Sequence, residues 1–387
     1  YIKNVNCEDI YISHLISLPD KNRYGDIYFP NDWRNKNSIT FLINHTHISE
    51  KKLRGLLQDK FHLLSKYSSF TTSFYFVLKS FRAYFKIKGK LKYQTNVLNK
   101  RLISRAAIEA ISFATVTNYN IKEQCLNIFK ETKPKKVFFT LEGHAYERAI
   151  ISAAREVSCD IKCFGYQHSS FFYSQNAIFQ TYSKRYDPDV VLTTGPLASK
   201  YAKNRFKNKF IKFQVVGTNK RFKEKKTKGN VCLIAPEGYK SEVEILLDFS
   251  KRLAFKRPHV EFILRLHPRL HNSKILKKLI HNDLIPNNIL ISQNDLIEDL
   301  RRSKVILYRG STVAIQAGSM GITPVYLKLK KEITIDPLFN IGQNELKITS
   351  IKQFYDIYDE RIKIPNFKTY CNDYYVPLKK IKNRIKI

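Results

Sequence analysis

From residue 136 onward, short apolar runs rich in β-branched and aromatic residues alternate with amphipathic stretches of helical length. The pattern stops at a charged segment and then starts again. KVFFTL (136–141), IKCFGYQ (161–167), DVVLTT (189–194) and FQVVG (213–217) read as strands, with AYERAIISAAREV (145–157) and LASKYAKNRF (197–206) as helices between them. TNKRFKEKKTKGN (218–230) is polar, strongly charged and ends in glycine, as a linker does. After it, VCLIAP (231–236), VEFILRLHP (260–268), NILIS (288–292), KVILYRG (304–310) and TPVYLKL (323–329) read as strands. The helices between them are expected at 241–256, 273–282, 296–303 and 311–321, the first opening on a Ser241-x-x-Glu244 capping pattern. Strands alternating with helices make βα units and a parallel sheet. The expectation is therefore an α/β chain with two tandem Rossmann-like domains, 1–217 and 231–349, joined by 218–230, with helices of 350–387 packing back toward the first domain. A length of 387 residues suits two cores better than one. Ligands of such sheets bind beyond the carboxyl ends of the strands, here an interdomain cleft.

Residues 1–135 are less regular. SITFLINHT (38–46) reads as a strand and 50–130 as a helical insertion. Within the insertion, FYFVLKSFRAYFKIKGKLKY (74–93) mixes aromatics with Lys and Arg. The ordinary outcome is a core helix whose lysines reach outward; the other is a basic amphipathic surface lying on an acidic membrane. No apolar run approaches the ~18 residues that a spanning helix needs. The chain opens at Tyr1 rather than Met, as a truncated N-terminus would.

Charge narrows the partners. Sixty-eight Lys and Arg against 33 Asp and Glu leave a net charge of +35, which favours anionic glycans, acidic inner-leaflet lipids or phosphorylated substrates. Compositional drift is the plain alternative, because Lys is abundant throughout. The charge is spread along the chain rather than collected in a tail, and no nucleic-acid partner is expected. The six cysteines form no CxxC pair, so buried free thiols in a reducing cytosol are expected.

The candidate chemistry sits at strand ends. In YRGSTVAIQAG (308–318), Gly310 permits a tight turn, and Ser311 or Thr312 opens a helix whose first N–H groups favour an anion, with Arg309 beside them. RLHP (265–268) delivers His267, with Arg265 two residues before it on the same strand, to a strand tip expected to neighbour the one ending at Arg309. In APEGYKSE (235–242), Gly238 allows close approach and Lys240 can donate. Neither a P-loop nor GxGxxG occurs. In the first domain, TLEGHAYERAI (140–150) places Glu142 at a strand tip, with Glu147 inside the following helix as a substrate contact or a cap. GYQHSSFF (165–172) brings out Gln167, His168 and Ser169, groups suited to a polyhydroxylated ligand. No metal or other cofactor is expected. The DPD of 187–189 precedes its strand, at the wrong end for the cleft.

These motifs together resemble GT-B glycosyltransferases. The resemblance is nearest to bacterial enzymes that use CMP-activated sugars, the sialyl-, polysialyl- and Kdo-transferases, and to the surface carbohydrate biosynthesis proteins. It covers roughly 136–330 and rests on LEGHAYERAI, GYQHS, RLHP and GSTVAIQAG. It implies that His267, Ser311 and Thr312 hold the nucleotide phosphate and that Glu142 is the catalytic carboxylate, with His168 beside it. LEG keeps only the acid and the glycine of the sialyltransferase triplet, which leaves retaining and inverting chemistry both open. The resulting expectation is a metal-independent glycosyltransferase, cytoplasmic or peripheral on the inner membrane face. It would move a sugar, Kdo or another ulosonic acid from a CMP donor, onto a surface polysaccharide or lipid-linked glycan. The rivals are a non-catalytic polyanion-binding module, a UDP- or GDP-sugar transferase, and a nucleotide-sugar epimerase.

Overall fold

The computed structural model describes residues 7–16, 28–46, 48–55, 57, 61–65, 69–220, 229–270, 285–341 and 346–378. The helix expected at 273–282 and most of the 218–230 linker lie outside them. The first sheet contains β1 (Asp9–Leu15), β2 (Ser38–Asn44), β3 (Phe61–Leu64), β4 (Lys136–Thr140), β5 (Lys162–Gln167), β6 (Val190–Thr193) and β7 (Lys212–Val215). They run parallel in the order β3-β2-β1-β4-β5-β6-β7. Around them lie α1 (Glu50–Arg54), α2 (Phe70–Lys88), α3 (Val97–Ala110), α4 (Phe113–Thr132), α5 (Ala145–Val157) and α6 (Pro196–Arg205).

The second sheet contains β8 (Val231–Ala235), β9 (Phe262–Leu264), β10 (Ile289–Ile291), β11 (Ser303–Tyr308), β12 (Thr323–Leu327) and β13 (Lys347–Ile348). Its order is β10-β9-β8-β11-β12-β13, again parallel. Its helices are α7 (Lys240–Lys256), α8 (Leu296–Arg302) and α9 (Val313–Ser319), followed by α10 (Ile351–Tyr358) and α11 (Phe367–Tyr374). Two parallel sheets wrapped by helices form the α/β, two-domain architecture that the alternation predicts.

Sheets covered on both faces demand strands that are apolar on both faces. Val137, Phe138 and Phe139 of β4 are all buried. Tyr11, Phe138 and Phe164 are register partners on β1, β4 and β5, and their rings stack with centroids 4.7 Å apart at each step. This aromatic ladder fixes the strands that carry the site described below. The C-terminal segment then returns across the first domain. Tyr374 Oη accepts from Phe171 N–H at 2.7 Å, and Val376 N–H donates to Thr194 O at 3.1 Å.

Three expectations need correction. The 74–93 segment is not a core helix: α2 buries only Phe76 and Ser80. The Ser241 start does not cap α7, which begins one residue earlier after Tyr239, without a side-chain cap. The strand ending before Arg309 does not neighbour the one ending before His267, because β8 lies between β9 and β11. The DPD aspartates hold arginines, Asp187 with Arg148 and Asp189 with Arg155, each at 2.7 Å.

Candidate active site

The turn after β4 is built around glycine and a buried acid. Gly143 has φ +94°, and a Cβ there would lie 2.4 Å from Ile178 N, so only glycine fits. Glu147 reaches back from the first turn of α5. It accepts from the backbone N–H of Glu142 at 2.7 Å, Gly143 at 2.9 Å and His144 at 3.0 Å. It is fully buried, so its expected role as a substrate contact gives way to that of a clamp on the turn. Burial pushes its carboxyl up to about 8, against the pull of the Glu142 and Gly143 amides.

The clamp presents Glu142 to two histidines. His168 Nε2 lies 3.2 Å from one carboxylate oxygen and His144 Nε2 3.2 Å from the other. Burial opposes ionisation of Glu142. Hydrogen bonds from His144 and Ser169 and the His168 ring outweigh it, and the carboxyl titrates below the usual range. His168, by contrast, is pushed down to about 4 by burial and is neutral at neutral pH. An ionised carboxylate has no proton to give, so His168 donates through Nε2–H and its Nδ1 carries the lone pair. That Nδ1 is buried without a hydrogen-bond partner among the described residues, as are Gln167 Nε2 and Ser170 Oγ on the same strand tip. Buried polar atoms are rarely left unpaired, and three at one strand tip mark a place where a polar ligand is expected.

Beside this pair lies a second cluster that the sequence reading missed. His14, from the end of β1, contacts His45 through Nδ1 at 2.8 Å. Through Nε2 it contacts Thr140 Oγ1 at 2.8 Å and the Tyr146 hydroxyl at 2.9 Å. Burial first, then His45 and His168, push His14 down to about 3, so it too is neutral. Tyr28 packs edge-on to His168 with ring centroids 4.3 Å apart. Lys220 Nζ, in the first residues after β7, donates to the His168 carbonyl at 3.0 Å. Burial lowers Lys220 to about 8, partly countered by Glu142. Its own carbonyl accepts from Gln316 Nε2 of α9 at 3.0 Å. One residue thus ties the first-domain site to the helix that Ser311 and Thr312 open.

In the second domain, the carboxyl ends of β8, β9 and β11 converge. A Cβ at Gly238 would lie 3.0 Å from His267 Nδ1, and one at Gly310 would lie 2.3 Å from Glu237 Oε2. Gly238, His267 and Gly310 therefore do gather at one edge, with Glu237 as a carboxylate that the sequence reading did not single out. Ser311 and Thr312 precede α9, and Thr312 makes no side-chain cap. Three expected phosphate, nucleotide or substrate contacts are engaged elsewhere. Arg309 is 3% exposed and bonds Glu242 at 2.6 Å and Glu332 at 2.6 Å. Arg265 bonds Asp299 at 2.7 Å and the Asn294 carbonyl at 2.6 Å. Lys240 points along its own helix to Glu244 at 3.2 Å.

No protein-family model and no curated protein sequence matches the chain. Solved structures do. The UDP-GlcNAc 2-epimerase of Neisseria meningitidis bound to UDP-GlcNAc matches with TM-score 0.55 and 11% identity, covering 95% of this chain and 97% of that one. The Methanocaldococcus jannaschii UDP-GlcNAc 2-epimerase in complex with UDP-GlcNAc and UDP matches with TM-score 0.54 and 10% identity, covering 93% and 94%. CalG4, the calicheamicin glycosyltransferase, matches with TM-score 0.53 and 10% identity, covering 94% and 92%. At these identities the likeness is one of fold: the two-domain GT-B arrangement.

Proposed function

We propose that the protein is a glycosyltransferase acting from a nucleotide-activated sugar. A CMP-linked ulosonic acid such as Kdo is the first donor to test, with a bacterial surface polysaccharide or lipid-linked glycan as acceptor. The observation that carries the reading is the Glu142–His168 pair, with the unpartnered atoms of Gln167, His168 and Ser170 beside it. An acceptor hydroxyl would give its proton to His168 Nδ1 as its oxygen attacks the anomeric carbon. Glu142 would fix the tautomer and stabilise the imidazolium, which suits it better than acting as the base, since its own carboxyl titrates too low. The departing phosphate would be received by Ser311 and Thr312 with Lys220 adding a positive charge, electrostatic help of the kind that dominates many such reactions. Gly238, His267 and Gly310 would form the nucleotide edge, and Glu237 would accept hydrogen bonds from donor hydroxyls. Neighbours of the same fold whose structures hold UDP-GlcNAc support a nucleotide-sugar ligand. The cytoplasm, where activated sugars are made, is the proposed site of action.

A second reading, nucleotide-sugar epimerisation, draws on the same neighbours and on the His14–Tyr146 cluster, whose groups can exchange protons. One assay separates the two. CMP-Kdo, CMP-sialic acid, UDP-GlcNAc and a GDP-sugar are each incubated with the protein, with and without glycan acceptor. A transferase releases free nucleotide only with acceptor, and His168→Ala slows that release by about 10²–10⁴. An epimerase gives a second nucleotide-sugar without acceptor. Turnover of none of them with any surface-glycan acceptor contradicts both readings.

A further inference from the structure

The α2–α3 hairpin has an exposed surface that the reaction does not explain. α2 is a 19-residue helix that buries two residues, and α3 buries only Ala107 and Ala110 of its 14. Large apolar side chains stand in solvent instead. Phe70, Phe74, Leu78, Phe81 and Phe85 are spaced four, four, three and four residues apart, which puts them on one helical stripe. Phe70 is 87% exposed and Phe85 66%. Tyr93 follows in the connection, and Leu98, Leu102 and Ile108 continue the exposure on α3. Phe76 and Ser80 lie off that stripe and turn toward the body, where α2 packs against α4. A monomeric surface rarely leaves so many large apolar groups together unless something covers them.

Charge identifies the cover. Between residues 70 and 110 the chain carries nine Lys and Arg residues and a single acid, Glu109, which pairs with Arg105. A second copy would bring the same cations against themselves. An anionic bilayer answers both properties, because aromatics enter the headgroup boundary while flanking Lys and Arg meet lipid phosphates. Among the described residues no helix is long and apolar enough to cross a membrane, so contact here is with the surface.

We propose that the α2–α3 hairpin docks this protein on an anionic lipid bilayer, independently of the reaction assigned above. The full chain is sedimented with vesicles of phosphatidylcholine, with and without phosphatidylglycerol, at physiological salt. It is expected to bind the anionic vesicles, and a variant with Phe70, Phe74, Phe81 and Phe85 all replaced by Ser is expected to lose about tenfold or more in partitioning. Because these side chains are exposed, the variant should keep the wild-type melting temperature. Phe81→Trp reports insertion directly, through quenching by brominated lipid. Phe255→Trp, on an exposed position of α7 in the other domain, is the control, and the native Trp33 is buried. Quenching confined to Phe81→Trp supports the proposal. Equal vesicle binding by wild type and the serine variant would show nonspecific attraction to a +35 chain and overturn it. So would a dimer in solution that the serine variant dissolves.

Discussion

At the scale of the residue, Glu142 and His168 are set apart by their surroundings: one is held ionised by donors, the other kept neutral by burial. Replacing His168 by Ala, or Glu142 by Gln, is expected to lower kcat/KM by about 10²–10⁴ with little change in melting temperature. Burial lowers Lys220 to about 8, so a leaving phosphate that needs its charge loses help as pH rises through that value. The alkaline limb of the pH–rate profile should therefore fall above about pH 8 and flatten in Lys220→Met. His14 gives the opposite kind of signal, in stability. Its folded value, about 3, lies below the ordinary 6.5, so the unfolded chain takes up the proton first. Its stabilising contribution is complete above pH 6.5 and is lost progressively as pH falls toward 3. Between pH 7 and 5, His14→Gln should lose less melting temperature than the wild type does.

At the scale of the element, strand ends do most of the positioning. Gly143→Ala forces a side chain into a left-handed turn against the Ile178 backbone, and should cost roughly 1–3 kcal/mol in denaturant unfolding. Arg309→Ala strands the Glu242 and Glu332 carboxylates and should cost about 3–5 kcal/mol, with no separate loss of nucleotide affinity. The β-rich runs from 136 to 329 were legible because buried parallel strands must be apolar on both faces. Glu142, Gln167 and His168 were legible because they follow such runs directly. β1 and β3 were not: DIYISHL and FHLL are short, carry histidine, and stand among polar segments where alternation is not sustained. With β1 unread, His14 could not be placed, and its partners Thr140 and Tyr146 are 126 and 132 residues away. Lys220 was hidden by lying in what composition marks as a linker. Arg309 and Arg265 were misread for a different reason. A cation at a strand tip looks alike in sequence whether it meets a phosphate or a carboxylate from a distant helix.

At the scale of the whole molecule, Lys220 joins the carboxyl end of the first sheet, at His168, to α9 of the second domain, and the C-terminal segment packs against both domains. Docking through α2–α3 would bring that machinery to the membrane surface, where lipid-linked glycans are found, and would give the excess positive charge a use beyond drift. The proposed function rests on nucleotide recognition by the second domain. The most direct measurement is the melting temperature of the full chain with excess CMP, UDP or GDP, alongside His267→Ala. A ligand at 100 times its dissociation constant stabilises by about 2.7 kcal/mol, enough to read as a shift of a few degrees. The expected result is a shift with one nucleotide, CMP first, that His267→Ala abolishes. No shift with any of the three would contradict it and leave a polyanion-binding module as the better description.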